Sequence, residues 1–167
     1  MMFQGAKSIF DTAVRALITA VVWGAVGLGI NALSSSPAPW IYEPKTFVEI
    51  DGLRVDLCDE KRAHELMESA DTVFVDARNQ SDYNQSRVKD SIFLPPDGVT
   101  DRYPSVEPML PKESLIVLYC YGPECDMAER TAKFLVEMGY KKLAVMSAGF
   151  AAWERAGYPV ESDDGAK

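Results

Sequence analysis

Two nearly uninterrupted apolar runs, within Thr72–Asp76 and Ser114–Cys120, limit what this chain can fold into. A strand with one solvated face alternates apolar and polar residues, whereas a continuous run needs cover on both faces. Strands of that kind belong to parallel sheets flanked by helices.

The surrounding segments supply the helices. Phe47–Ile50 and Leu53–Leu57 read as short strands about an Asp51-Gly52 turn. Asp59 can cap a helix over 60–69 whose apolar residues Ala63, Leu66 and Met67 share a face, with His64 at its boundary. A short polar helix is expected over 81–86 and a strand over 91–94, stopped by Pro95-Pro96. The proline-rich stretch 97–113 reads as loop with at most a short helix. A further helix starts near Asp126, buries Ala128, Thr131, Ala132 and Leu135, and closes at Gly139. Leu143–Met146 is a last strand, followed by a helix carrying Trp153 before Gly157. The alternation predicts an α/β fold with a mostly parallel central sheet over residues 47–161.

The N-terminus is different in kind. Ala16–Leu33 carries no charge, and at about 1.5 Å per residue this run, with its flanks, approaches the roughly 30 Å of a bilayer core. Lys7 and Arg15 precede the span, which predicts an inside N-terminus and a domain outside the inner membrane, on the periplasmic face in a bacterium. Trp40 and Tyr42 stand where interfacial aromatics would sit. A cleaved signal peptide is the competing reading, with Ala32 and Ser34 as its small residues, although the run is longer than a usual signal core. The expected organisation is a single-pass anchor or uncleaved signal over 1–34, a proline-rich connector over 35–46, the domain over 47–161 and a tail over 162–167.

Past residue 34 the chain holds 15 basic and 24 acidic residues, a net charge of −9. So acidic a domain is a poor match for nucleic acid, whose binding relies on neutralising phosphates. The three cysteines, Cys58, Cys120 and Cys125, and the single His64 have no zinc spacing, and no metal or cofactor is expected.

Cys120 is the candidate reactive residue. In a parallel sheet, ligands sit at the carboxyl ends of strands where helices begin, and Cys120 ends the strongest strand. Backbone N–H groups of the loop Tyr121-Gly122-Pro123-Glu124-Cys125-Asp126, with the helix N-terminus behind it, would stabilise a thiolate below its ordinary value of about 8.5. The same donors could cradle an anion. Position alone also fits an inert, packed cysteine.

Motifs in order along the chain resemble the rhodanese-like family. Val-Phe-Val-Asp76-Ala-Arg78, then Asp82-Tyr83, then Arg87-Val-Lys-Asp90-Ser-Ile-Phe-Leu-Pro95, is similar to the family's first signature, an Asp-x-Arg strand end followed by a helix and an "HIPGAINLP"-like strand. Leu-Ile-Val-Leu-Tyr-Cys120 resembles its active-site strand, and Ala148-Gly-Phe-Ala-Ala-Trp153-Glu-Arg-Ala-Gly-Tyr-Pro-Val160 its "GGxxAWxxAGxPV" ending. The resemblance spans roughly 53–161 and extends to a subgroup with an N-terminal membrane segment and a C-x-G-x-x-C loop. It implies a three-layer fold and a sulfurtransferase. Cys120 would take a sulfane sulfur as a persulfide and pass it to a thiol acceptor, the partners being a small sulfur-containing substrate or a thiol acceptor protein. Asp76 and Arg78 match the family's Asp-x-Arg, and we read them as structural support.

The chain departs from the pattern at three places. Arg87 and Asp90 replace a histidine and a glycine, and Ala148 replaces the first glycine of the ending. The loop after Cys120, basic in many thiosulfate-using members, carries Glu124 and Asp126, which oppose an anionic donor. Cys125 could attack a persulfide on Cys120 as a resolving thiol, or simply pack in the loop. Two alternatives to sulfur transfer stand beside it: a catalytically silent partner-binding module and a Cys120/Cys125 thiol–disulfide protein. A phosphatase of the Cys-x5-Arg kind would need arginine at position 126, where Asp126 stands.

Overall fold

The computed structural model describes residues 3–34 and 45–163. Most of the connector expected over 35–46, with Trp40 and Tyr42, and most of the tail expected over 162–167 lie outside the described residues. The chain divides into two units, residues 1–44 and 45–167. The described residues of the first form a helix, α1 (Phe3–Leu33). Its segment Asp11–Leu33 is long and apolar enough to span a membrane.

The second unit is an α/β domain. In chain order it contains β1 (Phe47–Ile50), β2 (Leu53–Cys58), α2 (Glu60–Met67), β3 (Thr72–Asp76), α3 (Gln80–Gln85), β4 (Arg87–Val88) and β5 (Ile92–Phe93). There follow α4 (Val99–Val106), a 3-10 turn over Glu107–Met109, β6 (Leu115–Tyr119), α5 (Met127–Glu137), β7 (Leu143–Met146), α6 (Gly149–Arg155) and β8 (Val160–Glu161). The main sheet has the order β1-β2-β7-β6-β3-β5, and only the β1–β2 pair is antiparallel. That hairpin turns on Asp51 and Gly52, both at positive φ, as a two-residue turn between right-twisted strands requires.

Both faces of the sheet are covered, which is why its central strands read as continuous apolar runs. Ile116, Leu118 and Cys120 face one core with Val75, Ala128, Ala132 and Leu135, on the side of α5. Val117 and Tyr119 face the other, with Phe74, Met146, Phe150 and Trp153, on the side of α2 and α6. Asp59 caps α2 as its position suggested, accepting from the Arg62 N–H at 2.7 Å. His64 is half-buried and stacks on Tyr158 with ring centroids 4.1 Å apart. The proline-rich stretch holds more helix than a loop: α4 accommodates Pro104 inside it and runs into the 3-10 turn.

One piece of the fold was not anticipated. β4 and β8 form a separate two-stranded antiparallel sheet that ties the segment between α3 and β5 to the last strand of the domain. Arg87 reinforces it, reaching Glu161 and Asp163 at 2.7 Å each. Asp90, where the family has glycine, sits at φ 59, a left-handed conformation that aspartate tolerates better than most side chains.

Candidate active site

The parallel strands end in one row. Cys58, Met146, Tyr119, Asp76 and Phe93 are register partners across β2, β7, β6, β3 and β5. Cys120 is the next residue beyond Tyr119 and therefore stands just above that row, at the carboxyl edge where α5 and α6 begin. Side chains alternate along a strand, so Cys120 points to the α5 side.

The loop over 121–126 is held from both sides. From behind, the first turn of α6 donates to it: Phe150 N–H to the Cys120 carbonyl at 2.8 Å, and Ala151 N–H to the Tyr121 carbonyl at 3.4 Å. Within the loop, Cys125 N–H donates to the Gly122 carbonyl at 3.0 Å, a tight turn that carries residue 125 back over residue 120. The Cys120 and Cys125 sulfurs are joined as a disulfide, with Cα atoms 6.4 Å apart. Cys120 is 3% exposed, Cys125 is half-buried, and Pro123, Glu124 and Asp126 lie outside. Asp126 occupies the cap position of α5, but its side chain makes no capping hydrogen bond.

Tyr121 leaves the loop sideways. Its hydroxyl donates to Asp82 at 2.5 Å and accepts from the Asn79 side chain at 2.6 Å, tying the loop to the start of α3. Partial burial and then the Asp82 acceptor both push its ionisation upward, so the hydroxyl remains a donor.

Asp76 and Arg78 form the support beneath. Asp76 is fully buried and Arg78 is 4% exposed. The guanidinium donates to both Asp76 carboxylate oxygens, from Nη2 to Oδ2 at 2.6 Å and from Nε to Oδ1 at 3.1 Å, and Nη2 also reaches the Ser86 carbonyl at 2.7 Å. Burial opposes the Arg78 charge, but the hydrogen bonds and charge of Asp76 outweigh it and the net shift is upward. The same guanidinium lies 3.9 Å from the centroid of the Phe150 ring and 6.0 Å from that of Tyr121. Arg78 thus packs between the strand end, α6 and the loop.

Two cavities share Arg78 as a wall. One, of about 290 Å³, is lined by Ala77, Asn79, Phe93, Pro95, Arg102 and Met127. The other, of about 210 Å³, is lined by Asp82, Ser86, Tyr121, Phe150 and Glu154. A larger hollow of about 530 Å³ beside Thr72, Phe74, Lys89 and Met109 has no cysteine in its lining.

A family model described as the rhodanese-like domain matches residues 59–156, more than half of the chain. The chain belongs to the rhodanese-like family. Among its relatives, the thiosulfate sulfurtransferase GlpE of Actinobacillus pleuropneumoniae is 29% identical over 101 residues, covering 60% of this chain and 88% of GlpE. A tRNA uridine(34) hydroxylase of Photorhabdus laumondii is 28% identical over 97 residues, but this chain spans only 27% of the hydroxylase's length. The solution structure of the rhodanese-like domain from the Anabaena Alr3790 protein matches with a TM-score of 0.55 at 23% identity, covering 66% of this chain and 83% of that one. The BH2092 protein of Bacillus halodurans matches with a TM-score of 0.56 at 21% identity, covering 64% and 76%.

Within this rhodanese-like domain the expected site residues converge, with Cys120, the loop 121–126, Asp76 and Arg78 at one edge of the sheet. The contacts of Tyr121 with Asp82 and Asn79, and of Arg78 with Phe150, were not foreseen. The approach of α6 to the loop has a trace in the sequence: the second glycine of the "GGxxAW"-like ending is Gly149, whereas Ala148 sits at φ −66 and needs no glycine.

Proposed function

We propose that this rhodanese-like domain is a sulfurtransferase in which Cys120 accepts a sulfane sulfur as a persulfide and passes it to a thiol acceptor. The observation that carries this reading is the position of Cys120, one residue past the carboxyl-end row and at the mouth of the loop leading into α5. The kinship with a protein named thiosulfate sulfurtransferase supports the reaction class. In the reduced state the thiolate attacks the terminal sulfur of the donor, the donor's remaining thiol leaves, and the outer sulfur then moves to the acceptor. Loop N–H groups other than that of Cys125, which donates to the Gly122 carbonyl, would steady the negative charge of the terminal sulfur; Pro123 has none to offer. Asp76 and Arg78 hold the strand end and loop in place without touching the reacting atoms. The exposed Glu124 and Asp126 disfavour the thiosulfate dianion as the donor.

α1 would anchor the protein in the inner membrane and hold the domain on the periplasmic side. Labelling of reduced cells with a membrane-impermeant maleimide is expected to modify Cys125; labelling only after lysis would place the domain inside.

The activity is tested with the reduced full chain and glutathione persulfide as donor. Wild type is expected to consume sulfane sulfur catalytically in the presence of an acceptor thiol, and a folded Cys120→Ser variant to lose that consumption. Undiminished turnover by the Cys120→Ser variant overturns the reading.

A further inference from the structure

Cys125 is brought into bonding contact with the proposed sulfur acceptor by features of the fold itself. Both cysteines lie on the α5 side of the sheet, and the Gly122–Cys125 turn folds the loop back by five residues. The Cα separation of 6.4 Å lies within the span that a disulfide bridges without backbone movement. The Cys120 end of the loop is fixed by the amides of Phe150 and Ala151, so the turn presents Cys125 to a stationary partner.

We propose that Cys125 is the resolving thiol of this site: it attacks the inner sulfur of a Cys120 persulfide, closes the Cys120–Cys125 disulfide and releases hydrosulfide. The inference rests on Cys120 being the sulfur acceptor, and it deepens that reading by naming the product formed when no acceptor thiol intervenes. The Cys125 sulfur supplies the electron pair for the new bond to Cys120 Sγ. The bond from Cys120 Sγ to the outer sulfur breaks, and the outer sulfur leaves with that bond's electrons. The proton of the Cys125 thiol ends on the departing sulfur. The sulfane sulfur is reduced by two electrons, and the two cysteines are oxidised to the disulfide.

Reset needs an external dithiol reductant. The bonded pair is asymmetric in access, with Cys120 buried and Cys125 half-exposed. The reductant therefore attacks the Cys125 sulfur, and Cys120 departs as the thiolate that the next cycle uses. A second exchange within the reductant frees Cys125 and leaves the reductant as its own disulfide.

The test is a single turnover of the reduced full chain with glutathione persulfide, without oxygen or added thiol, read by intact mass, disulfide mapping and released sulfide. Wild type is expected to release about one sulfide per chain, above the background given by Cys120→Ser, and to end with Cys120 bonded to Cys125. Cys125→Ser and Cys125→Ala are both expected to retain one added sulfur on Cys120, with sulfide release reduced at least ten-fold. Two variants guard against a local packing fault in either one. A stable persulfide on wild type, or unchanged sulfide release by both Cys125 variants, overturns the resolving role alone. Failure of wild type and both variants to take up any sulfur overturns the reading of Cys120 as well.

Discussion

Gly149 lies against Gly122 so closely that a β-carbon on Gly149 would overlap the Gly122 backbone and the Tyr121 carbonyl carbon. Gly149 also sits at φ +70, where other residues are strained. Gly149→Ala is therefore expected to destabilise the domain by on the order of 2–4 kcal/mol and to shift the loop. Urea unfolding measures the first effect, and loss of the Cys120–Cys125 bond after mild oxidation reports the second. A variant as stable as the parent would refute the close approach.

The Asp76–Arg78 pair is buried, and removing one partner leaves the other charge without a counterpart. Asp76→Ala should cost about 3–5 kcal/mol in unfolding free energy. Replacing both, Asp76→Leu with Arg78→Met, should recover most of that loss, because no charge is then stranded. A double replacement as damaging as the two singles summed would show that the pair is not acting as a unit.

Charge at the loop tip bears on donor choice. Glu124 is exposed, and Glu124→Lys should raise kcat/KM for thiosulfate by roughly three- to ten-fold at low salt, with the gain shrinking as salt screens the charge. Identical rates for variant and parent at low ionic strength would remove the electrostatic argument against thiosulfate.

Cys58 is buried beneath the same sheet edge, and its thiol donates to the Val145 carbonyl at 3.7 Å. Burial, with Asp59 nearby, pushes its ionisation from 9.0 up to about 11. Below pH 9 both folded and unfolded chains keep the proton, so the thiol's contribution to stability is complete. Between pH 9 and 11 the unfolded chain ionises while the fold resists, and stability falls by at most about 1.4 kcal/mol per pH unit from this group. Cys58→Ala should lose less stability than the parent across that window, as followed by denaturant titrations at each pH. Parallel losses would mean that Cys58 does not carry the effect.

The central fold was legible because burial on two faces leaves a mark that a short sequence can hold. Leu115–Tyr119 and Thr72–Asp76 are strands where apolar runs placed them, and Ala128, Thr131, Ala132 and Leu135 form the buried face of α5. β4 and β8 were not legible: each has two residues, too few for any period, and their pairing joins positions more than 70 apart. Arg87 looked like a gap in a motif, yet its ion pairs with Glu161 and Asp163 close that small sheet. At the site, the position of Cys120 could be read from its strand. The meeting with Cys125 depends on a turn centred on Gly122–Cys125 and on the bracing of α6, neither of which has a periodic signature.

The Cys120–Cys125 bond closes a ring with a sequence separation of only five. A link across so short a stretch removes little freedom from the unfolded chain, about 2 kcal/mol by loop-closure entropy, and it ties no two distant parts of the domain together. The sheet is held instead by its two apolar cores and by the buried Asp76–Arg78 pair. A bond with so small a share in architecture can open and close in every cycle while the scaffold that aims it stays folded.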